Sequence, residues 1–246
     1  MRVLSYNIHK GIGGRDRRYR LERVLSVIED ENPDLICLQE VDRDVPRSRC
    51  HNQPKLFADH FNSVARLYQT NVRLKQGGYG NLILSRWRLR SKHQVSLRYN
   101  SKKPRGAQMV VVETPEGLLQ LVNWHLGLAE QERHWQVKHL LHHHLFRESE
   151  HLPTLIIGDF NDWRNTLAGG PFQAADFQQV TAPASRFRSF PAYLPMGALD
   201  KAFVRGAINI RRAHVVRNRA AAIASDHLPL VVDFHLGRNA KNDKSS

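Results

Sequence analysis

What most constrains this chain is a series of short apolar runs, rich in β-branched residues, each bounded by turn formers and each with a polar residue at one end. The clearest are Val3–Tyr6, Leu35–Gln39, Leu82–Leu84, Met109–Val112, Leu118–Trp124, Leu155–Ile157, Leu199–Val204 and Leu228–Phe234. Runs of this length and composition are buried strands. Between the first two, Leu21, Val24, Leu25 and Ile28 recur at the spacing of an amphipathic helix lying on a sheet. The stripe Val137, Leu140, Leu141 and Leu145 predicts a second helix from about Glu130 to Phe146. Short polar turns such as Arg86–Arg88 and Pro115-Glu116-Gly117 separate successive strands, which predicts much antiparallel pairing. Stacked mixed sheets with helices on their outer faces bury all of these runs, so the expected fold class is α/β (α+β), a layered sandwich.

The 246 residues contain no linker, low-complexity stretch or internal repeat, so one domain over 1–236 is expected, followed by a disordered tail over 237–246 that lacks apolar anchors. Lys and Arg total 37 against 23 Asp and Glu, a net charge of +14, and the resulting field draws polyanions. Nucleic acid is the expected partner, with an anionic membrane surface as the alternative. The opening residues lack the pattern of a signal peptide, and no stretch is apolar enough to span a bilayer. Cys37 lies in an apolar run and Cys50 in a polar loop, which argues against a disulfide framework. These features predict a cytoplasmic monomer.

The polar residues fall in a pattern. Asn7, Glu40, His125 and Asp159 each follow an apolar run, whereas Asp200, Asp226 and His227 stand at or near the start of one. If the second group of strands runs antiparallel to the first, all seven side chains meet at one sheet edge. Each short motif is commonplace alone; their joint placement predicts a site. Magnesium, with manganese as a substitute, takes oxygen ligands and is held by few carboxylates, a role that suits Asn7, Glu40 and Asp226. Such an ion polarises a phosphoryl oxygen for in-line attack by water. Asp159 and Asn161 are spaced to lie on one side of an extended segment and to orient that water. Asp200 is the expected carboxylate partner of His227, and His125 the expected donor to the phosphate. The His142-His143-His144 run radiates around a helix and receives no metal role.

The segments Ser5-Tyr6-Asn7-Ile8, Leu38-Gln39-Glu40-Val41, Gly78-Tyr79-Gly80-Asn81, Asn123-Trp124-His125-Leu126, Gly158-Asp159-Phe160-Asn161, Leu199-Asp200 and Ser225-Asp226-His227 together resemble the endonuclease/exonuclease/phosphatase superfamily, whose fold is like that of deoxyribonuclease I. The resemblance runs from residue 3 to about 234. It implies a four-layer sandwich, magnesium at Asn7 and Glu40, and a catalytic group of His125, Asp159, Asn161, Asp200, Asp226 and His227. Members differ over the base, so Asp159 and the Asp200–His227 pair both stand. Asn81, in a matching segment, and Arg105, in Pro104-Arg105-Gly106, are the expected substrate ligands. Relatives resembling abasic-site endonucleases carry Tyr where this chain has His125, which disfavours that activity.

The expected function is therefore magnesium-dependent hydrolysis of phosphodiesters, foremost as a nuclease. Phe187, Phe190, Tyr193, Leu194 and Met196, beside Arg186 and Arg188, are suited to stack on bases and grip phosphates, or equally to enter a lipid surface. Hence a sphingomyelinase-like phospholipid headgroup phosphodiesterase and a phosphomonoesterase are the alternatives. A non-catalytic binding module ranks last, because no expected ligand position is replaced.

Overall fold

A computed structural model describes residues 1–237. Its strands are β1 (Arg2–Asn7), β2 (Leu35–Arg43), β3 (Ala65–Arg73), β4 (Gly78–Ser85), β5 (Leu89–Ser96), β6 (Gly106–Thr114), β7 (Gly117–His125), β8 (Thr154–Asp159), β9 (Gln178–Gln179), β10 (Asp200–Arg205), β11 (Ile208–Val215) and β12 (Leu230–Leu236). The helices are α1 (Leu21–Glu31), α2 (Gln53–His60), α3 (Glu130–Leu141), α4 (His144–Arg147) and α5 (Arg219–Ala224). They form the expected sandwich: one six-stranded sheet ordered β11-β12-β1-β2-β4-β3 and another ordered β5-β6-β7-β8-β10-β9. Among the described residues no helix is long and apolar enough to cross a membrane.

The two sheets share one pattern of strand direction. Each has a single parallel pair, β1 with β2 and β7 with β8, and all their other neighbours run antiparallel. A parallel pair needs a crossover, which α1 supplies in the first sheet and the α3–α4 segment in the second. Two adjacent carboxyl ends therefore open on one edge of each sheet, and the antiparallel neighbours β12 and β10 begin at that same edge. Side chains of β8 alternate as a pleated strand requires: Leu155 and Ile157 join the core shared by the two sheets, and Ile156 joins Trp124, Phe203 and Val137 under α3.

Every apolar run is a strand. The strands not anticipated, β3, β5, β9 and β11, are the outermost strands of the two sheets. They carry Arg66, Lys92, Arg211 and Arg212 and leave many side chains exposed, as edge strands do, so they contain no apolar run to read. Two readings are corrected. The Arg86–Arg88 turn does not form a hairpin but carries the chain from β4 in one sheet to β5 in the other, whereas the turn at Pro115-Glu116 does pair Thr114 with Gly117. The helix expected over Glu130–Phe146 breaks at His143, whose backbone is extended and whose Nδ1 accepts from Leu145 N at 3.3 Å. The apolar spacing continues across this cap and conceals it. The histidine run accordingly does not radiate around one helix: His142 closes α3, and His143 and His144 stack at 4.6 Å. Of the predicted tail, Gly237 donates to Ala207 O at 2.9 Å, and residues 238–246 lie outside the described residues.

A buried amide network locks the sheets together. Gln39 Nε2 on β2 donates to Asn123 Oδ1 on β7 at 2.8 Å, and Asn123 Nδ2 donates to Leu38 O, Leu82 O and Gln108 Oε1 at 3.1, 3.2 and 3.0 Å. Both amides are fully buried, so a lost partner strands donors and acceptors in the core. Asn123→Leu is expected to lower unfolding free energy by about 3 kcal/mol. Urea denaturation followed by circular dichroism measures it.

Candidate active site

Asn7, His125 and Asp159 are the last residues of β1, β7 and β8, and Asp200 is the first of β10. The registers place Asp159 beside His125 on one side and Asp200 on the other, so one cross-strand row carries all three. Gly158 makes that row fit. A Cβ there would lie 2.2 Å from Trp124 O, and φ is +150°, so only glycine allows the close approach. Ser225-Asp226-His227 precedes β12 and is tied to the first sheet by Ser225 Oγ, which donates to Asn7 O at 2.7 Å.

Asp159 is the centre of the arrangement. Its Oδ2 accepts from Asn7 Nδ2 at 3.0 Å, with His125 Nε2 at 3.3 Å and His227 Nε2 at 3.7 Å. Its Oδ1 accepts from Asn161 N at 3.0 Å. Burial raises the Asp159 carboxyl, His227 opposes that and the Asp200 charge adds to it, leaving it at about 6. His227 Nδ1 hydrogen-bonds Asp200 Oδ2 at 2.8 Å, which also accepts from Ser189 Oγ at 2.6 Å. Burial alone lowers the His227 imidazole, but Asp200 and then Asp159 outweigh it and push it up to about 10. His125 moves the other way, held well below the usual histidine value by burial and by the Arg105 and His227 charges. The segment after Asp159 is not extended as expected: Asn161 has φ +51°, which turns its backbone N–H onto Asp159 and its Nδ2 onto Leu126 O at 2.9 Å.

Glu40 occupies a β-bulge. The register of β2 with β4 shifts between Leu38 and Val41, and Glu40 has φ +57°, a left-handed conformation that a residue with a side chain adopts at a cost. Its carboxylate pairs with Lys10 Nζ, and although burial raises its pKa, the Lys10 charge more than compensates and lowers it. The segment 7–10 touches three carboxylates: Asn7 bonds Asp159, His9 Nε2 lies 3.8 Å from Asp226, and Lys10 meets Glu40. Asp226 is partly exposed and, apart from His9, contacts only its neighbour Ser225 Oγ at 3.4 Å.

The donor set fits a small, hard divalent cation. Glu40 and Asn7 offer oxygens at adjacent strand ends, and the ammonium of Lys10 on Glu40 shows that this carboxylate already balances a cation. Asp159, Asp200 and His227 also each offer a ligand atom, all within 4.8 Å of one another. His227 there is bonded to Asp200 through Nδ1, as in a carboxylate–imidazole relay.

Arg105 is 7% exposed, and its Nε has no hydrogen-bond partner. Asn81 is buried, donating through Nδ2 to Gly106 O at 3.0 Å, so it fixes the peptide next to Arg105 while its Oδ1 has no partner. The aromatic segment divides: Phe187 is core, Phe190 stacks at 4.8 Å on His227, and Tyr193, Leu194 and Met196 are each 60% exposed. Trp163, also exposed, reaches Phe190 at 6.0 Å. Sequence reasoning missed His9, Lys10, Ser189 and Asp162. Asp162 holds the turn after Asn161, accepting from Thr166 N and Leu167 N at 3.1 Å, with Arg133 at 3.8 Å and Lys201 at 4.0 Å. For Lys10 a signal existed, a cation in the loop leaving β1; for Ser189 there was none.

Because Asp200 is the main charge that raises His227, nuclear magnetic resonance of the metal-free protein should show His227 as imidazolium at pH 8. Asp200→Asn should bring its titration down toward the ordinary histidine range.

The sequence profile of the Endonuclease/Exonuclease/phosphatase family matches residues 4–227. The uncharacterized protein YbhP of Escherichia coli strain K12 is 28% identical over 248 residues, covering 96% of each chain. An endonuclease/exonuclease/phosphatase structure from Beutenbergia cavernae superimposes with TM-score 0.77 at 22% identity, covering 96% of this chain and 72% of that one. A mannosyl-6-phosphatase from Bacteroides thetaiotaomicron superimposes with TM-score 0.74 at 16% identity, covering 95% and 99%.

Proposed function

The chain belongs to the endonuclease/exonuclease/phosphatase family, whose members hydrolyse phosphoester bonds, and from that premise we propose that it is a magnesium-dependent phosphodiesterase acting on nucleic acid. The observation that carries the reading is the convergence on Asp159: Asn7 from one sheet, His125 from the other and His227 from the loop before β12 all meet one carboxylate.

Glu40 and Asn7 hold the metal, with Asp226 at its outer side. When bound, the ion supplies Lewis-acid polarisation of the phosphoryl oxygen and neutralises charge built during in-line attack. Asp159, fixed by Asn7 and by the Asn161 backbone, takes the proton of the attacking water. Asp200 orients His227 through Nδ1, which leaves Nε2 facing the site to donate to a phosphoryl oxygen. His125 donates to a second oxygen, and Arg105 supplies a fixed positive charge. The net charge of +14 concentrates a polyanionic substrate around this edge.

Assays on single- and double-stranded DNA and RNA, a phosphomonoester and a headgroup phosphodiester, with magnesium and with chelator, test the reading. Nucleic acid should be cleaved, chelator should abolish cleavage, and Glu40→Gln or Asp159→Asn should each lower kcat by roughly 10²- to 10⁴-fold with the circular dichroism spectrum retained. Inertness on all four nucleic acids contradicts it.

One observation favours a second reading, a phospholipid headgroup phosphodiesterase: Tyr193, Leu194, Met196 and Trp163 form an exposed apolar group beside Phe190 and His227. On that reading the protein sediments with phosphatidylglycerol vesicles, and Leu194→Asp with Met196→Asp abolishes sedimentation. On the nucleic-acid reading it stays in the supernatant at physiological salt.

A further inference from the structure

Beside the catalytic row, a cavity of about 190 Å³ opens between the loop before β6 and the first turn of α3. Its walls include Lys102, Lys103, Arg105, Leu128, Ala129 and Glu132. Three cations thus face one carboxylate, and that carboxylate is engaged, with Glu132 Oε1 accepting from Gln136 Nε2 at 3.3 Å. Arg105 is buried in the wall with its Nε unpaired, and the ion pairs of the described residues include none that involves it. A buried guanidinium without a carboxylate is expensive unless an anion completes it. The helix adds a second source of positive potential. Its N-cap is Ala129, which has no side chain able to cap, so the first N–H groups of this twelve-residue helix keep their hydrogen-bonding capacity.

The placement relative to the site is fixed by the backbone. Ala107 pairs with Trp124, so Arg105 lies at the level where β7 delivers His125. Its carbonyl accepts from Leu97 N at 2.9 Å and the next carbonyl from Asn81 Nδ2 at 3.0 Å, which pins the turn on both sides. Lys102 and Lys103 are exposed at the mouth and free to close on a ligand.

We propose that this cavity is a second anion subsite, which holds the substrate phosphate adjoining the one being hydrolysed. It rests on the phosphodiesterase reading above and narrows it: the enzyme favours substrates with phosphates on successive units, as in a polynucleotide, over isolated diesters. Arg105 spans both positions, with Lys102, Lys103 and the α3 N-terminus receiving the outer phosphate.

The test compares a thymidine dinucleotide with and without a 5′-terminal phosphate, reading cleavage of the internucleotide bond by chromatography in magnesium. For the natural protein the added phosphate should lower KM roughly tenfold, the gain expected from one charge-assisted contact. In Lys102→Ala/Lys103→Ala the ratio of the two KM values should fall to near one. Equal KM values in the natural protein, or an undiminished ratio in the variant, overturn the subsite while leaving the phosphodiesterase reading intact. Failure to cleave either dinucleotide sinks that reading instead. Calorimetric binding of the same two dinucleotides to metal-free protein then decides the subsite: a preference for the phosphorylated one that the variant loses supports it, and equal affinity overturns it.

Discussion

The hydrogen bond from Gln39 to Asn123 joins the two sheets at the level of the site, and the catalytic geometry depends on it. Apolar side chains between stacked sheets favour contact without dictating register, since dispersion and burial are non-directional. Buried amides do dictate it, because sliding one sheet by a single residue would leave Gln39, Asn123 and Gln108 without partners. Gln39 immediately precedes Glu40, and Asn123 lies two residues before His125. The network thus fixes the metal-binding carboxylate of one sheet against the imidazole of the other.

Strand direction then determines which residues meet. A parallel pair at the middle of each sheet opens two carboxyl ends on one edge, and an antiparallel neighbour adds an amino end. Asn7, Glu40, His125, Asp159, Asp200 and His227 are the residues at those ends. Where the pleat would point a side chain wrongly, the backbone departs from it: the bulge at Glu40 and the left-handed turn at Asn161 re-aim groups that regular strand geometry would misplace. The local strain is held by the surrounding sheet and by the pairing of Glu40 with Lys10.

The same logic explains what was legible in the sequence. Central strands are buried on both faces and read as apolar runs, so each was visible, and the polar residue at its end marked the site edge. Outer strands such as β5 and β11 are half exposed and charged, and their pattern is not distinct from loops. The α3–α4 break was hidden because the apolar stripe continues through the His143 cap. The pairing of Asp200 with His227 was readable as chemistry, whereas Ser189, Asp162 and the contacts of segment 7–10 arise from distant chain segments meeting, which no local pattern encodes. The conformations of Glu40 and Asn161 were equally hidden, since neither residue type demands a positive φ.

The account's central claim is that strand ends of both sheets form one cation site leaning on Asp159. Anomalous diffraction from crystals soaked in manganese tests it most directly. The account predicts a single strong peak bonded to Glu40 and Asn7 on the side facing Asp159 and His227, with the Lys10 amine displaced from Glu40. A peak away from Glu40, or no ordered manganese at this edge, would contradict it.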